Sequence, residues 1–353
     1  MSSILQLVIA VSALIILHEL GHFLAARLLK VEVEEFGLGI PPRLLTLFKL
    51  GKTEYTLNWL PLGGFVRLKG ENDANETGGL QSANPWARLA IYIAGPIMNL
   101  LIGILIYAVI FTQTGAPDPT QVLVIDVAAE SPAAQAGLAG GDIITYAAGQ
   151  DIDSMSKLHD TIYAHLEENI DVTYKYGDES HTVSLTPREN PPEGEGSIGI
   201  IMSNPVYPIG WLESIPMGAQ ATYYHTLLLI TLPGKIIRGA IAPELARPVG
   251  YKGMYDIYQD VKERETIAPE SPINLNALHF FATITISLGM INLMPIPALD
   301  GGRILFTLPE ILLRRRIPQE WQNIINTISF AAMMLLFVYI NILDFTNPIE
   351  IPK

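Results

Sequence analysis

The sequence predicts a polytopic α-helical membrane protein with four transmembrane helices. Two observations predict it. The 353 residues are 49% hydrophobic and only 16% charged, with a mean hydropathy of +0.32, which is too apolar for one soluble globule. Apolar stretches at Ile4 to Leu29, Leu89 to Phe111, Leu275 to Met294 and Asn323 to Leu343 each approach the roughly 20 residues that a bilayer core requires.

The first stretch lacks a basic leading region and a small-residue cleavage site, so it is expected to be retained as a span within residues 1–30. The second span is expected over 89–112, the third over 275–302 and the fourth over 323–343. Between Ala221 and Ile241 the apolar run Thr226 to Pro233 is too short to cross, and it ends at Gly234 and Lys235. Residues 204–274 are therefore expected to form an amphipathic linker and not a fifth span.

Charge orients the spans. Eight basic residues lie between Arg27 and Arg88, and Arg303 and Arg314 to Arg316 follow the third span. Residues 113–274 hold nine basic and 22 acidic residues. The positive-inside rule then makes 31–88 and 303–322 cytoplasmic, and places both termini and the acidic segment outside. A net charge of -13 argues against a nucleic-acid partner. With Cys 0, no disulfide framework or thiolate metal site is available, so any zinc must be held by His, Asp or Glu.

Inside the first span stands His18-Glu19-Leu20-Gly21-His22. This HExxH spacing puts two imidazoles one turn apart on one helix face, as two tetrahedral zinc ligands require, with Glu19 placed as general base. Ionisable residues within a span are costly and mark a functional site by default. The plain alternative is a set of polar residues snorkelling at a helix end.

A catalytic zinc wants a third protein ligand. His159, His165 and His181 lie in the acidic segment, and His225 and His279 begin outer apolar stretches. Asp300 fits better: with four spans the first and third run in the same direction, so His18 and Asp300 both fall near the cytoplasmic boundary. The alternative for Asp300 is a turn residue before Gly301-Gly302. Pro295 and Pro297 free backbone groups just before it, which at membrane depth must line a cavity. Asn99 and Asn292 are intramembrane amides that either contact a substrate carbonyl or hydrogen-bond between helices.

These residues resemble the site-2 protease family of intramembrane zinc metalloproteases, in particular its bacterial members that carry a PDZ domain and cleave anti-sigma factors. The resemblance rests on HELGH at 18–22, on the run from Pro61 through Gly63 and Gly64 to Glu71, on Pro85-Trp86 to Asn99, and on Asn292 to Gly302. It implies that His18, His22 and Asp300 bind Zn2+ and that Glu19 is the catalytic base. It also implies a membrane-associated β-hairpin over Leu38 to Glu71, in which Gly63 and Gly64 permit a bend and an edge strand receives substrate by strand addition. A simple cytoplasmic loop is the alternative.

Ser131 to Ile144 is similar to a PDZ signature, and alternation at Gln121 to Val127, Ile143 to Tyr146, Asp171 to Tyr176 and His181 to Leu185 agrees with one extracytoplasmic α+β PDZ domain over 118–203. Gly196 to Ile200 resembles its carboxylate-binding loop. Such a domain either excludes bulky substrates or captures a C-terminal peptide. Arg247-Pro248-Val249-Gly250-Tyr251 departs from the family's usual small residue, so no gating role is carried to it. The implied function is proteolysis of single-span membrane proteins in a bacterial cell membrane. The rival expectation is a catalytically silent PDZ membrane adaptor, which would hold no stoichiometric metal.

Overall fold

A computed structural model describes residues 2–71, 73, 76–177, 179–241, 247–267 and 274–348. The chain divides into two units, Met1–Ile110 with Trp211–Lys353, and Phe111–Gly210.

The first unit opens with α1, Ser3–Leu28, a mainly apolar stretch without proline that extends about 39 Å at helical rise. β1, Val33–Leu50, and β2, Thr53–Leu68, follow. Both strands double back, β1 near Pro41-Pro42 and β2 near Pro61 to Gly63. The register shows it: Phe36, Gly37 and Leu38 pair antiparallel with Val66, Phe65 and Gly64, and also side by side with Tyr55, Thr56 and Leu57. The ribbon is thus a small sheet of four segments with 64–68 along one edge and 43–50 along the other.

Glu35, buried within this sheet, is paired with Arg43 at 2.8 Å and with Arg67, and accepts from Thr56 Oγ1 at 2.7 Å. The buried carboxylate is therefore compensated, without which it would cost several kcal/mol, on the order of 3–5. Beyond it Leu44, Leu45, Leu47, Phe48 and Trp59 stand exposed. The β region starts at Val33, five residues before the expected hairpin.

α2, Pro85–Thr114, completes the first half of the unit and begins four residues before the expected span, at Pro85, where a proline suits the first helical turn. The second unit holds β3, Ala116–Pro117; β4, Val122–Val127; α3, Pro132–Ala136; β5, Ile143–Ala147; β6, Gln150–Asp151; α4, Met155–Ala164; β7, Ile170–Tyr176; β8, Glu179–Leu185; β9, Ile200–Ser203; and β10, Val206–Tyr207. Its main sheet runs β8-β7-β5-β4-β9, with β6 on β5, and β10 pairs β3 outside the expected 118–203 boundaries. Ser131 caps α3 and Ser154 caps α4 through their hydroxyls. Val122, Val124, Ile144, Leu158 and Val172 form the core. The expected strands coincide with β4, β5, β7 and β8, and Gly196 to Gly199 lead irregularly into edge strand β9.

The first unit resumes with α5, Trp211–Ile237; α6, Tyr251–Ile267; α7, Leu275–Asn292; α8, Asp300–Leu313; and α9, Gln319–Thr346. Two expectations change here. The expected linker over 204–274 is largely helical: the short apolar run Thr226 to Pro233 lies inside α5, which runs for 27 residues and is not among the described helices apolar enough to cross a membrane. Its first half mixes Glu213, Gln220 and Thr222 with apolar residues and buries Ser214, Gly218 and Thr222 at four-residue spacing, one packed helix face. Residues 242–246 and 268–273 of that segment lie outside the described residues. Likewise 303–322 is not a basic loop: α8 occupies most of it, and Arg314 to Arg316 lie at its end.

Among the described residues four helices, α1, α2, α7 and α9, are long and apolar enough to cross a membrane. α6 ties three of them together. Tyr258 and Lys262 bond Gln6 of α1 at 3.3 and 3.1 Å, Tyr258 packs on Phe280 and Phe281 of α7, and Gly250 and Gly253 donate to Asp344 of α9 at 2.8 and 3.0 Å. The N-terminal ends of α1 and α7 therefore share one side, and their C-terminal ends share the other.

Candidate metal centre

His18 and His22 lie four residues apart on α1, and both are buried. Asp300 enters from α8, whose first residue it is; an acid there is favoured by the helix dipole, so the Asp-Gly-Gly sequence starts a helix and not a free turn. His18 Nε2 and His22 Nε2 are 3.2 Å apart, and Asp300 Oδ2 stands 3.2 Å from the first and 3.3 Å from the second. Ligand atoms around a tetrahedral zinc at roughly 2.0–2.1 Å are separated by about 3.3 Å. The triangle has that edge length, and among the described residues these three form the cluster that fits a metal.

The outer contacts support the same use. His22 Nδ1 lies 2.8 Å from the Ile91 carbonyl of α2 and must donate to it, so its Nε2 carries the lone pair. Asn99 is fully buried, with Nδ2 3.2 Å from His18 Nδ1 and with Oδ1 left without a partner. With the amide turned by 180°, Oδ1 accepts the His18 Nδ1 proton, which leaves His18 Nε2 with the lone pair. Both imidazoles then point a lone pair into the triangle.

Glu19 lies beside the ligands, its Oε2 accepting from Val66 N on β2 at 3.1 Å. A cavity of 340 Å³ opens on the centre, lined by His18, Glu19, His22 and Asp300 together with Phe65, Val66, Asn292 and Arg303. Asn292, the last residue of α7, thus reaches the cavity, whereas Asn99 does not line it and serves His18 instead. Gly63 and Gly64 lie at a second, apolar cavity of 490 Å³ between α1, β2, α6 and α9, and Ile15 lines both cavities. Their lack of a side chain lets β2 approach α1 closely: a Cβ on either would press on Ile15 or Ile16. His159, His165 and His181 belong to the second unit, and His225 and His279 meet Tyr107 away from the centre.

Sequence reasoning missed Gly95. A Cβ there would strike His22 Nε2 and come within 2.9 Å of His18 Cε1, while one on Gly21 would strike Ala94 O. The two glycines let α1 and α2 cross closely, a small-residue contact that Gly-Pro inside a span could have signalled. Gly95→Ala is expected to displace both imidazoles and weaken zinc binding by at least about tenfold, comparable to loss of an outer partner. Zinc titration of the purified variant measures it, and unchanged affinity would show that the helices part at no cost.

A buried His-His-Asp triangle beside a glutamate, with both histidines on a helix apolar enough to cross a membrane, has the donor set and spacing that a metal ion requires. Comparison with known proteins agrees. The model of peptidase family M50 matches residues 6–336, so the chain belongs to that family. A Clostridium acetobutylicum protein assigned as a zinc metalloprotease is 30% identical, covering 97% of each chain. The regulator of sigma-W protease RasP of Bacillus subtilis is 25% identical over 96% of this chain and 97% of its own. A solved PDZ domain of an SdrC-like protein from Listeria monocytogenes is 28% identical, covering 23% of this chain and 85% of its own, with a TM-score of 0.21.

Proposed function

We propose that this chain is an intramembrane zinc peptidase that hydrolyses peptide bonds of membrane-spanning substrates, with His18, His22 and Asp300 as the zinc ligands and Glu19 as the base. The observation that carries it is the 3.2–3.3 Å triangle beside Glu19 on a helix fit to cross a membrane. When bound, zinc would polarise the scissile carbonyl and lower the pKa of the attacking water. Val66 N–H fixes one oxygen of Glu19, and the other takes the proton of that water and later delivers it to the leaving amine. Asn292, at the cavity wall, is placed to donate to the substrate carbonyl.

Segment 64–68 is an edge of the β region and runs past the centre, so an extended substrate adds to it as a strand. Val66 N already serves Glu19, so the flanking residues of that edge hold the substrate backbone. Basic residues around 27–88 and 303–316 and the acidic 113–274 segment support a bacterial plasma-membrane orientation with the second unit outside. The sigma-W reference in the relative's name supports a single-span anti-sigma factor as the substrate class.

The test uses purified full-length protein with a single-span substrate in detergent. Chelation should abolish cleavage and one equivalent of zinc should restore it. Intact folding with no metal bound would favour the silent adaptor.

A further inference from the structure

Two of the sequence runs noted above end on opposite charges, one at Glu71 and the next residue after the other at Arg303. In the fold those ends meet. Arg303 Nη1 lies 2.5 Å from Glu71 Oε1, and its guanidinium carbon stands 5.8 Å from the centroid of the Tyr92 ring. All three residues line the metal cavity, where Arg303 is the one Lys or Arg among the described residues. Tyr92 follows Ile91, whose carbonyl holds His22.

Asp300 depends on where α8 begins, and α8 does not fix that by itself. It follows the non-helical stretch Leu293 to Leu299, which contains Pro295 and Pro297. Backbone bonds from Ile296 N to Met294 O at 2.7 Å and from Leu299 N to Ile296 O at 2.9 Å shape the stretch. Gly301 and Gly302 press on it so closely that a Cβ on either would strike its backbone. None of these contacts reaches α1 or α2. The aim of Asp300 at the two histidines must come from contacts between α8 and other elements.

Two ion pairs make such contacts, Arg303 with Glu71 and Arg88 with Glu310. Glu310 lies ten residues beyond Asp300, nearly three turns along α8, whereas Arg303 lies three residues beyond it and leaves the same face. The nearer pair is also neutral as a unit, so it orients the helix without adding net charge to a centre in which one zinc balances Asp300 and Glu19. A guanidinium suits the place because it stacks on a ring and directs a bond in its plane, which an ammonium does not.

We infer that Arg303 is a positioning residue for the metal: its ion pair with Glu71 across the Tyr92 ring holds the start of α8 so that Asp300 completes the triangle. The inference rests on the zinc reading of the site.

The experiment measures zinc affinity of full-length protein in detergent by competition with a chromophoric chelator, with zinc alone as probe and no peptide. Wild type comes first, because a wild type that holds no zinc sinks the reading of the site itself. With zinc bound by the wild type, Arg303→Gln and Glu71→Gln are each expected to weaken it by about 10- to 100-fold, the range for an outer partner of a metal site. The double variant should be no weaker than the worse single by more than about threefold, since both remove one interaction. Arg303→Lys should fall between, and Glu310→Gln, which cuts the other ion pair of α8, should stay within about threefold of wild type. If Arg303→Gln does not fold, Glu71→Gln and Arg303→Lys carry the same comparison. Zinc affinity of Glu71→Gln within about threefold of wild type would overturn the inference, as would an equal loss in Glu310→Gln.

Discussion

Glu19→Gln is expected to hold about one zinc per chain while peptide hydrolysis falls by 10² or more, within the roughly 10²- to 10⁴-fold that a positioned general base supplies. The substitution is nearly isosteric, and the amide oxygen still accepts from Val66 N, so the 3.1 Å contact between α1 and β2 survives. Glu19 contributes no atom to the His18, His22 and Asp300 triangle. Metal and chemistry should therefore separate in this variant. Cleavage of a single-span substrate is measured beside zinc content on the same preparation. Activity within about tenfold of wild type would remove Glu19 from the role of base, and loss of zinc would mean that it supports the ligands.

What the sequence makes legible is set by whether a feature depends on local spacing. The two histidines and Glu19 follow from one turn of helix, and their meeting with Asp300 follows from counting spans, because parallel α1 and α7 bring their C-terminal ends to the same side. Alternation in the 171–176 and 181–185 segments marks where β7 and β8 form. Features that depend on long-range register are not legible in this way. Nothing local shows that 36–38 pairs with two partners at once, or that the edge of that sheet donates Val66 N to Glu19.

Rotation of a helix about its own axis is equally hidden. The depth of its span leaves Asn99 either a substrate contact or a helix-to-helix partner, and α2 turns it onto His18 of α1, the second of these, while presenting Gly95 to both imidazoles. The helix α8 escapes because its basic end resembles a loop, although Asp300 followed by an apolar run to Leu313 is a helix start with an acid in its first turn. In each case the missing information is a tertiary contact, which propensity does not contain.

Asp300→Ala is expected to lose both zinc and activity. Two imidazoles would remain, and a catalytic zinc site takes three protein ligands. The loss should exceed the roughly 10- to 100-fold that removal of an outer partner costs, because a direct anionic ligand is gone. His159→Ala, His165→Ala and His181→Ala form the contrast: all three side chains lie in the second unit, where His159 and His181 face Asp160 and Glu179 and His165 bonds Thr161 O at 2.9 Å. Each should keep about one zinc and full cleavage. Asp300→Ala also removes an acid from the first turn of α8, worth about 0.3–1 kcal/mol, so a small drop in thermal stability should accompany the metal loss. Asp300→Asn keeps the shape and a neutral oxygen but not the charge, so it should share the dipole loss of Asp300→Ala and also hold zinc more weakly than wild type. Metal content by elemental analysis and melting of the metal-free proteins read them independently. Full zinc occupancy in Asp300→Ala would show that another residue completes the site, and zinc lost equally in His165→Ala would move the centre out of α1 and α8 altogether.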